Sequence, residues 1–109
     1  MSEIVVVAHA RAKEGRGAEA EALLVGLVGP THNERGCVTY ALHRDAADPD
    51  HLVFVERWES REALDAHSKA PHLSLLSDVG PMVLTGPVEV TVLEPVPAGE
   101  PDKGTLAGV

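Results

Sequence analysis

Four stretches of the chain are rich in β-branched and other apolar residues, and amphipathic segments fall between them. Residues 4–12 (IVVVAHARA) predict a strand in which Ile4, Val5, Val6 and Val7 are consecutive, so both of its faces are apolar. Residues 16–29 (RGAEAEALLVGLVG) set Ala20, Leu23, Leu24, Leu27 and Val28 at helical spacing. Gly29-Pro30 is expected to end that helix. Thr31, with Glu34 three residues on, has the spacing of a capping box and predicts a short extra turn closed by Gly36. Residues 37–44 and 51–59 predict a second and a third strand, joined as a hairpin through a turn-rich loop from Asp45 to Asp50. Ser60 fits the N-cap of a short helix from Arg61 to about Ser68, with Glu62 where the helix dipole favours an acid. Pro71 opens a further helix to about Val79. Residues 86–95 predict a fourth strand, with Val88, Val90 and Val92 on one face.

The order β-α-β-β-α-β predicts an α+β fold, a ferredoxin-like antiparallel sheet with its helices on one face. Residues 1–95 form the expected domain, and residues 96–109, dominated by Pro, Gly and charge, an expected flexible tail. The first strand and the third (Leu52–Val55) are apolar on both faces, yet helices cover only one face of such a sheet. The expected cover for the other face is a second copy of the chain. The sequence therefore predicts a homodimer with its sheets facing each other.

Length and charge narrow the function. One domain fits into 109 residues, with 44% hydrophobic and 24% charged positions, as in globular proteins. The net charge of -8 and the lack of any Lys/Arg cluster argue against nucleic acid and against an anionic membrane surface. No stretch approaches a membrane span and the N-terminus lacks a cationic leader, so a cytoplasmic protein is expected. The single Cys37 excludes an intrachain disulfide and a multi-cysteine zinc site.

Gly15-x-Gly17-x-x-Ala20 imitates a dinucleotide fingerprint, but that motif belongs in a parallel βαβ unit and here a hairpin follows. The glycines are read as the turn that starts a helix. Six histidines raise the question of a metal, but none forms a known ligand pair and no carboxylate stands at a telling interval, so no metal is expected. No G-x-S-x-G elbow supports a serine nucleophile. The chemistry concentrates between Phe54 and Leu76. Phe54, Glu56 and Trp58 alternate on one strand face, and Tyr40 and Leu42 can share it across the hairpin. Leu64 and His67 share one helix face, while His72, Leu75, Leu76 and Val79 follow helical spacing in the next segment. Together these residues can line an apolar cavity carrying a few polar groups.

These segments resemble the antibiotic biosynthesis monooxygenase family, the group that includes quinol monooxygenases. The carriers are Gly36–Leu42, Asp48-Pro49, Phe54–Ser60, Glu62–His67 and Pro71-His72, within a resemblance spanning about residues 3–95. It implies a dimeric α+β barrel that oxidises phenolic, anthrone- or quinol-type aromatics with molecular oxygen and no cofactor. The haem-degrading branch of that family is disfavoured: Trp58 matches its pattern, but Ala8 stands where an Asn is expected and Ser77 near the expected His. On the oxygenase reading, His67 or His72 is the expected base. Tyr40, Phe54, Glu56, Trp58, Leu64 and Leu76 are the expected substrate contacts, and Arg44 and Arg57 lesser candidates for steadying an anion. A non-catalytic dimer that binds a small aromatic, and an isomerase using the same base, remain open alternatives at this level.

Overall fold

The computed structural model describes residues 3–106. Met1, Ser2 and the last three residues of the expected tail lie outside the described residues. Strand β1 (Ile4–Arg11) is central, and the sheet order is β2-β3-β1-β4 with every neighbour antiparallel. β2 spans Cys37–Asp45, β3 Asp48–Trp58 and β4 Glu89–Leu93. Helices α1 (Gly17–His32) and α2 (Arg61–His67) follow β1 and β3, giving the ferredoxin-like order expected from the sequence.

Sheet alternation sets the core. Ile4, Val6, Ala8 and Ala10 of β1 point to the helices with Leu52, Phe54 and Trp58 of β3. Gly17, Ala20, Leu24, Leu27 and Thr31 form the buried stripe of α1, spaced three and four apart. The opposite sheet face carries Val5, Val7, Val53, Val55 and Ala41, with the Arg57–Glu3 ion pair (2.7 Å) and a stacked His9–His51 pair. No helical residue belongs to that face among the described residues.

The structure corrects three local expectations. First, α1 does not stop at Gly29-Pro30 but runs through Pro30 to His32. Proline removes the donor that would reach the Gly26 carbonyl, and both residues lie on the exposed side, where water replaces the lost bond. Second, the Asp45–Asp50 loop is only a two-residue turn at Ala46-Ala47, because β2 and β3 both extend. Pro49 is accommodated at the ladder irregularity between Arg44 and Asp45, beyond the end of β1. Third, Pro71–Val79 is not one helix. A 3₁₀ turn (Pro71–Leu73) leads into α3 (Ser74–Asp78) and then α4 (Gly80–Val83). Leu73 and Leu76 therefore turn inward, while Leu75 and Val79 are exposed.

β4 begins at Glu89, later than expected, and Val90 and Val92 remain exposed although their register sets them on the helix side with Ala8 and Val6. Beyond Leu93 the described chain forms irregular segments, bends and turns, with no helix or strand. No helix of the described residues is long and apolar enough to cross a membrane.

The Gly15-x-Gly17 segment is a structural turn, as expected. Gly15 has a positive φ of 77°, and a Cβ at Gly17 would strike the Pro49 carbonyl. The Asp50 carboxylate accepts from the backbone N–H of Gly15 (3.0 Å) and of Gly17 (2.9 Å). A side chain of β3 thus occupies the helix N-terminus where a dinucleotide motif would hold phosphate.

Candidate active site

A cavity of about 190 Å³ lies between the inner sheet face and the α2–α3 segment. Its walls are Val6, Ala8, Phe54, Leu64, Leu73, Leu76, Val88 and Val90, with Tyr40, Glu56, His67 and Ser68 as the polar members. A wider recess of about 780 Å³ shares Leu76, Val88 and Val90 with it and extends toward Lys13, Leu84 and Pro87. Strand alternation brings Phe54 and Glu56 to the inner face, and the Tyr40↔Glu56 pairing of β2 with β3 sets Tyr40 beside them. Ser60 accepts from the Ala63 N–H at 3.1 Å, which fixes the start of α2 and so the positions of Leu64 and His67 one and two turns on.

Of the expected site residues, Tyr40, Phe54, Glu56, Leu64, Leu76 and His67 border this cavity. Trp58 is fully buried behind it, packed on His67 at 4.6 Å between ring centroids. Its indole N–H donates to Glu56 Oε1 at 3.0 Å. His72 lies one layer away, in the 3₁₀ turn. Arg57 points to the opposite sheet face and is held by Glu3, and Arg44 by Glu21 (2.7 Å), so neither guanidinium reaches the cavity.

Two residues that sequence reasoning did not assign to the site complete it. Glu34 and Thr31 do not make the expected capping box. The Glu34 carboxylate lies 2.7 Å from His67 Nδ1 and 3.1 Å from His72 Nε2. The Thr31 hydroxyl, completely buried, lies 2.9 Å from the same His72 Nε2. A carboxylate only accepts, so His67 Nδ1 carries a proton, and in the neutral ring its Nε2 presents the lone pair. That Nε2 has no hydrogen-bond partner among the described residues and is not sealed away from solvent. The imidazole is held between the Trp58 ring and the Tyr40 ring, whose centroid is 5.4 Å away at an edge-on angle. This is the arrangement in which a carboxylate fixes the tautomer and orientation of a histidine base.

Burial sets the ionisation of the surrounding groups. It pushes the Tyr40 hydroxyl well above the usual phenol range, with the Glu56 charge adding to the effect. Tyr40 is therefore a neutral group at neutral pH. Burial also raises the Glu56 carboxyl, against the opposing Trp58 hydrogen bond and the nearby His67. The Cys37 thiol is raised by burial and by the Glu34 and Glu56 charges, so it is a poor nucleophile. Glu34, His67 and His72 also bring three ligand atoms within 4.8 Å of one another, a set that could hold a metal ion. The spacing in sequence hid this set, because the carboxylate is 33 residues from His67 and reaches it only through the fold.

The family model described as antibiotic biosynthesis monooxygenase matches residues 3–75. The chain is 41% identical over 96 residues to "Putative monooxygenase Rv0793" of Mycobacterium tuberculosis, covering 87% of this chain and 93% of that one. It is 31% identical over 85 residues to "Probable quinol monooxygenase YgiN" of Escherichia coli, covering 69% of this chain and 82% of the other. The solved structure of Rv0793 superposes with a TM-score of 0.78 at 38% identity, covering 91% of this chain and all of the other. PA3566 from Pseudomonas aeruginosa superposes with a TM-score of 0.82 at 27% identity, covering 88% and 96%.

Proposed function

Because the chain belongs to the antibiotic biosynthesis monooxygenase family, we propose that its monooxygenase-like role is the oxidation of an electron-rich phenolic, anthrone- or quinol-type ring by molecular oxygen, with His67 as the base. The observation that carries this reading is the Glu34–His67 pair at the cavity wall, with Nδ1 engaged and Nε2 unengaged. Removal of a proton by His67 Nε2 turns the bound ring into a phenolate or enolate. That anion passes one electron to oxygen, and the resulting radical pair joins through a new C–O bond as a peroxide anion. The imidazolium returns its proton to give a hydroperoxide. Loss of water then leaves the carbonyl, so one oxygen atom enters the product and the other leaves as water.

The chain supplies three things to this sequence. Glu34 stabilises the imidazolium while the anion exists. Tyr40, kept neutral by burial, offers a hydroxyl to an oxyanion. The walls of Val6, Ala8, Phe54, Leu64 and Leu76 keep water away from the radical pair.

The same reading includes a homodimer. Val7, Val53, Val55 and Ala41 are half-buried on a sheet face that no helix covers among the described residues, and this patch is the surface offered to a second copy.

The test is oxygen uptake by chelator-treated protein over a panel of anthrones and hydroquinones. Wild type is expected to exceed the spontaneous rate, and His67→Ala to lose about 10²–10⁴-fold, as removal of a general base does. Undiminished turnover in His67→Ala would overturn the assignment of the base. Saturable binding of the panel without oxygen uptake would favour a binding protein of the same fold.

A further inference from the structure

We propose that Glu34, His67 and His72 form a binding site for one first-row divalent cation of the zinc, cobalt or nickel type. The donor atoms are Glu34 Oε2, His67 Nδ1 and His72 Nε2, which stand 2.7 and 3.1 Å apart along the carboxylate and all within 4.8 Å of one another. Metal–ligand bonds of about 2.0–2.1 Å at tetrahedral or octahedral angles need donor spacings of roughly 3 Å, so only small side-chain shifts separate this cluster from a coordination set. Three different segments supply the donors: the turn after α1, the last residue of α2, and the 3₁₀ turn. The ligand positions are therefore fixed by packing.

A second observation points to a cation. His72 Nε2 faces two oxygens at once, Glu34 Oε2 at 3.1 Å and Thr31 Oγ1 at 2.9 Å. Only the Thr31 contact has hydrogen-bond geometry, so the one proton or lone pair of this nitrogen is committed to Thr31, and the Glu34 carboxylate approaches it without a hydrogen bond of its own. A cation beside that nitrogen takes its lone pair while the oxygens of Glu34 and Thr31 both remain oriented toward positive charge. The three side chains are only 9–18% exposed, which shields the charges from competing water yet leaves a way in. Two imidazoles with one carboxylate favour zinc-like ions over magnesium or calcium, which prefer all-oxygen sets. Three protein ligands leave coordination positions unfilled, as in metal sites that accept an exogenous ligand.

The site has a consequence for the base, and this clause alone rests on the oxygenase reading above. A metal on His67 Nδ1 forces the remaining ring proton onto Nε2, which then has no lone pair with which to abstract a proton. Cation binding and base catalysis by His67 are mutually exclusive, so a bound zinc ion would inhibit cofactor-free turnover.

The experiment is titration of chelator-stripped protein with cobalt(II), followed by its d–d absorption, with zinc competition read in the same cuvette. One cobalt per chain is expected, displaced by zinc. Glu34→Gln and His72→Ala are each expected to weaken binding by at least about tenfold. His51→Ala, in the separate His9–His51–Asp45 cluster on the other sheet face, is expected to leave it unchanged. Far-UV circular dichroism checks that each variant folds, and Glu34→Gln alone decides the matter if His72→Ala does not. Cobalt binding that survives Glu34→Gln, or that is lost in His51→Ala, overturns the site. Oxygen uptake is measured separately: zinc inhibition reversed by a chelator supports the tautomer argument. Absence of oxygen uptake under all conditions refutes the oxygenase reading and leaves the cobalt result to stand by itself.

Discussion

Gly36 is the hinge on which the site is seated, and its replacement by alanine is the sharpest test of how α2 is held. Gly36 has a φ of 86°, a conformation that costs an alanine roughly 1–2 kcal/mol. A Cβ built there would also stand 2.5 Å from the Ala63 Cβ on α2, far inside van der Waals contact. Overpacking of this kind costs about 1–3 kcal/mol. Together the two effects predict a loss of about 2–5 kcal/mol for Gly36→Ala, which in a domain of this size lowers Tm by roughly 10–30 °C. The two causes separate in a double-mutant cycle. Ala63→Gly removes the clashing carbon at a helix-propensity cost of up to about 1 kcal/mol. The double variant then retains the strain and the propensity cost but not the clash, so it should be about 1–3 kcal/mol more stable than additivity predicts. Urea titrations followed by far-UV circular dichroism and by the fluorescence of Trp58, the single tryptophan and fully buried, supply the four free energies. Additivity within about 0.5 kcal/mol would refute the claimed contact between the β2 turn and α2. A Gly36→Ala loss well under 1 kcal/mol would refute the requirement for positive φ.

Two further outcomes follow from burial. The Glu56 carboxyl is raised by burial, so between its unfolded and folded pKa values the native state binds more protons, and its contribution to stability falls as pH rises through that window. Glu56→Gln keeps an acceptor for the Trp58 N–H and cannot ionise; it should match wild type in strongly acid solution and exceed it near neutrality, by on the order of 1 kcal/mol. Equal differences at both pH values in urea titrations would sink that account. Val55→Asp and Val7→Asp on the open sheet face should convert a dimer to a monomer in sedimentation equilibrium, because a two-fold interface presents each change twice. A wild-type protein that is monomeric at every concentration would remove the dimer from the proposal.

Much of the fold was legible because local rules and burial agree there. The strict alternation of Phe54, Glu56 and Trp58 on β3 placed three residues on one face, and all three are buried. Ser60 is the cap its residue type suggested. The cavity wall could be assembled from such alternation because strands transmit facing faithfully. The 3₁₀ turn at Pro71 was not legible, since Leu75-Leu76 satisfies helical spacing in either phase, and only the tertiary fold, which sets Leu76 on the cavity wall with Leu64 and Val88, selects it for the inside. The turn at Ala46-Ala47 was hidden by Pro49, which reads as a breaker unless its unpaired edge of the ladder is known.

The decisive difference lies at Pro30, and it reaches directly into the chemistry. Thr31 and Glu34 satisfy a capping-box pattern, and had α1 ended at Gly29 that box would have consumed both side chains in two backbone N–H bonds. Because α1 continues, Thr31 is the last buried position of its stripe and its N–H is already inside the helix. The Glu34 N–H bonds the Thr31 carbonyl at 3.0 Å, and the Glu34 carbonyl accepts from Cys37 at 3.2 Å, so the backbone needs nothing from either side chain. The Thr31 hydroxyl and Glu34 carboxylate are thereby released to meet His72 and His67. What permits this is the orientation of Pro30 and Gly26 toward water, where a missing hydrogen bond costs little. Rotating the helix so that Pro30 faced the sheet would bury the unsatisfied Gly26 carbonyl and restore the break that the sequence pattern suggests. The partner of the candidate base is thus set by which face of α1 is wet, a property that belongs to the packed molecule and not to any local window of residues.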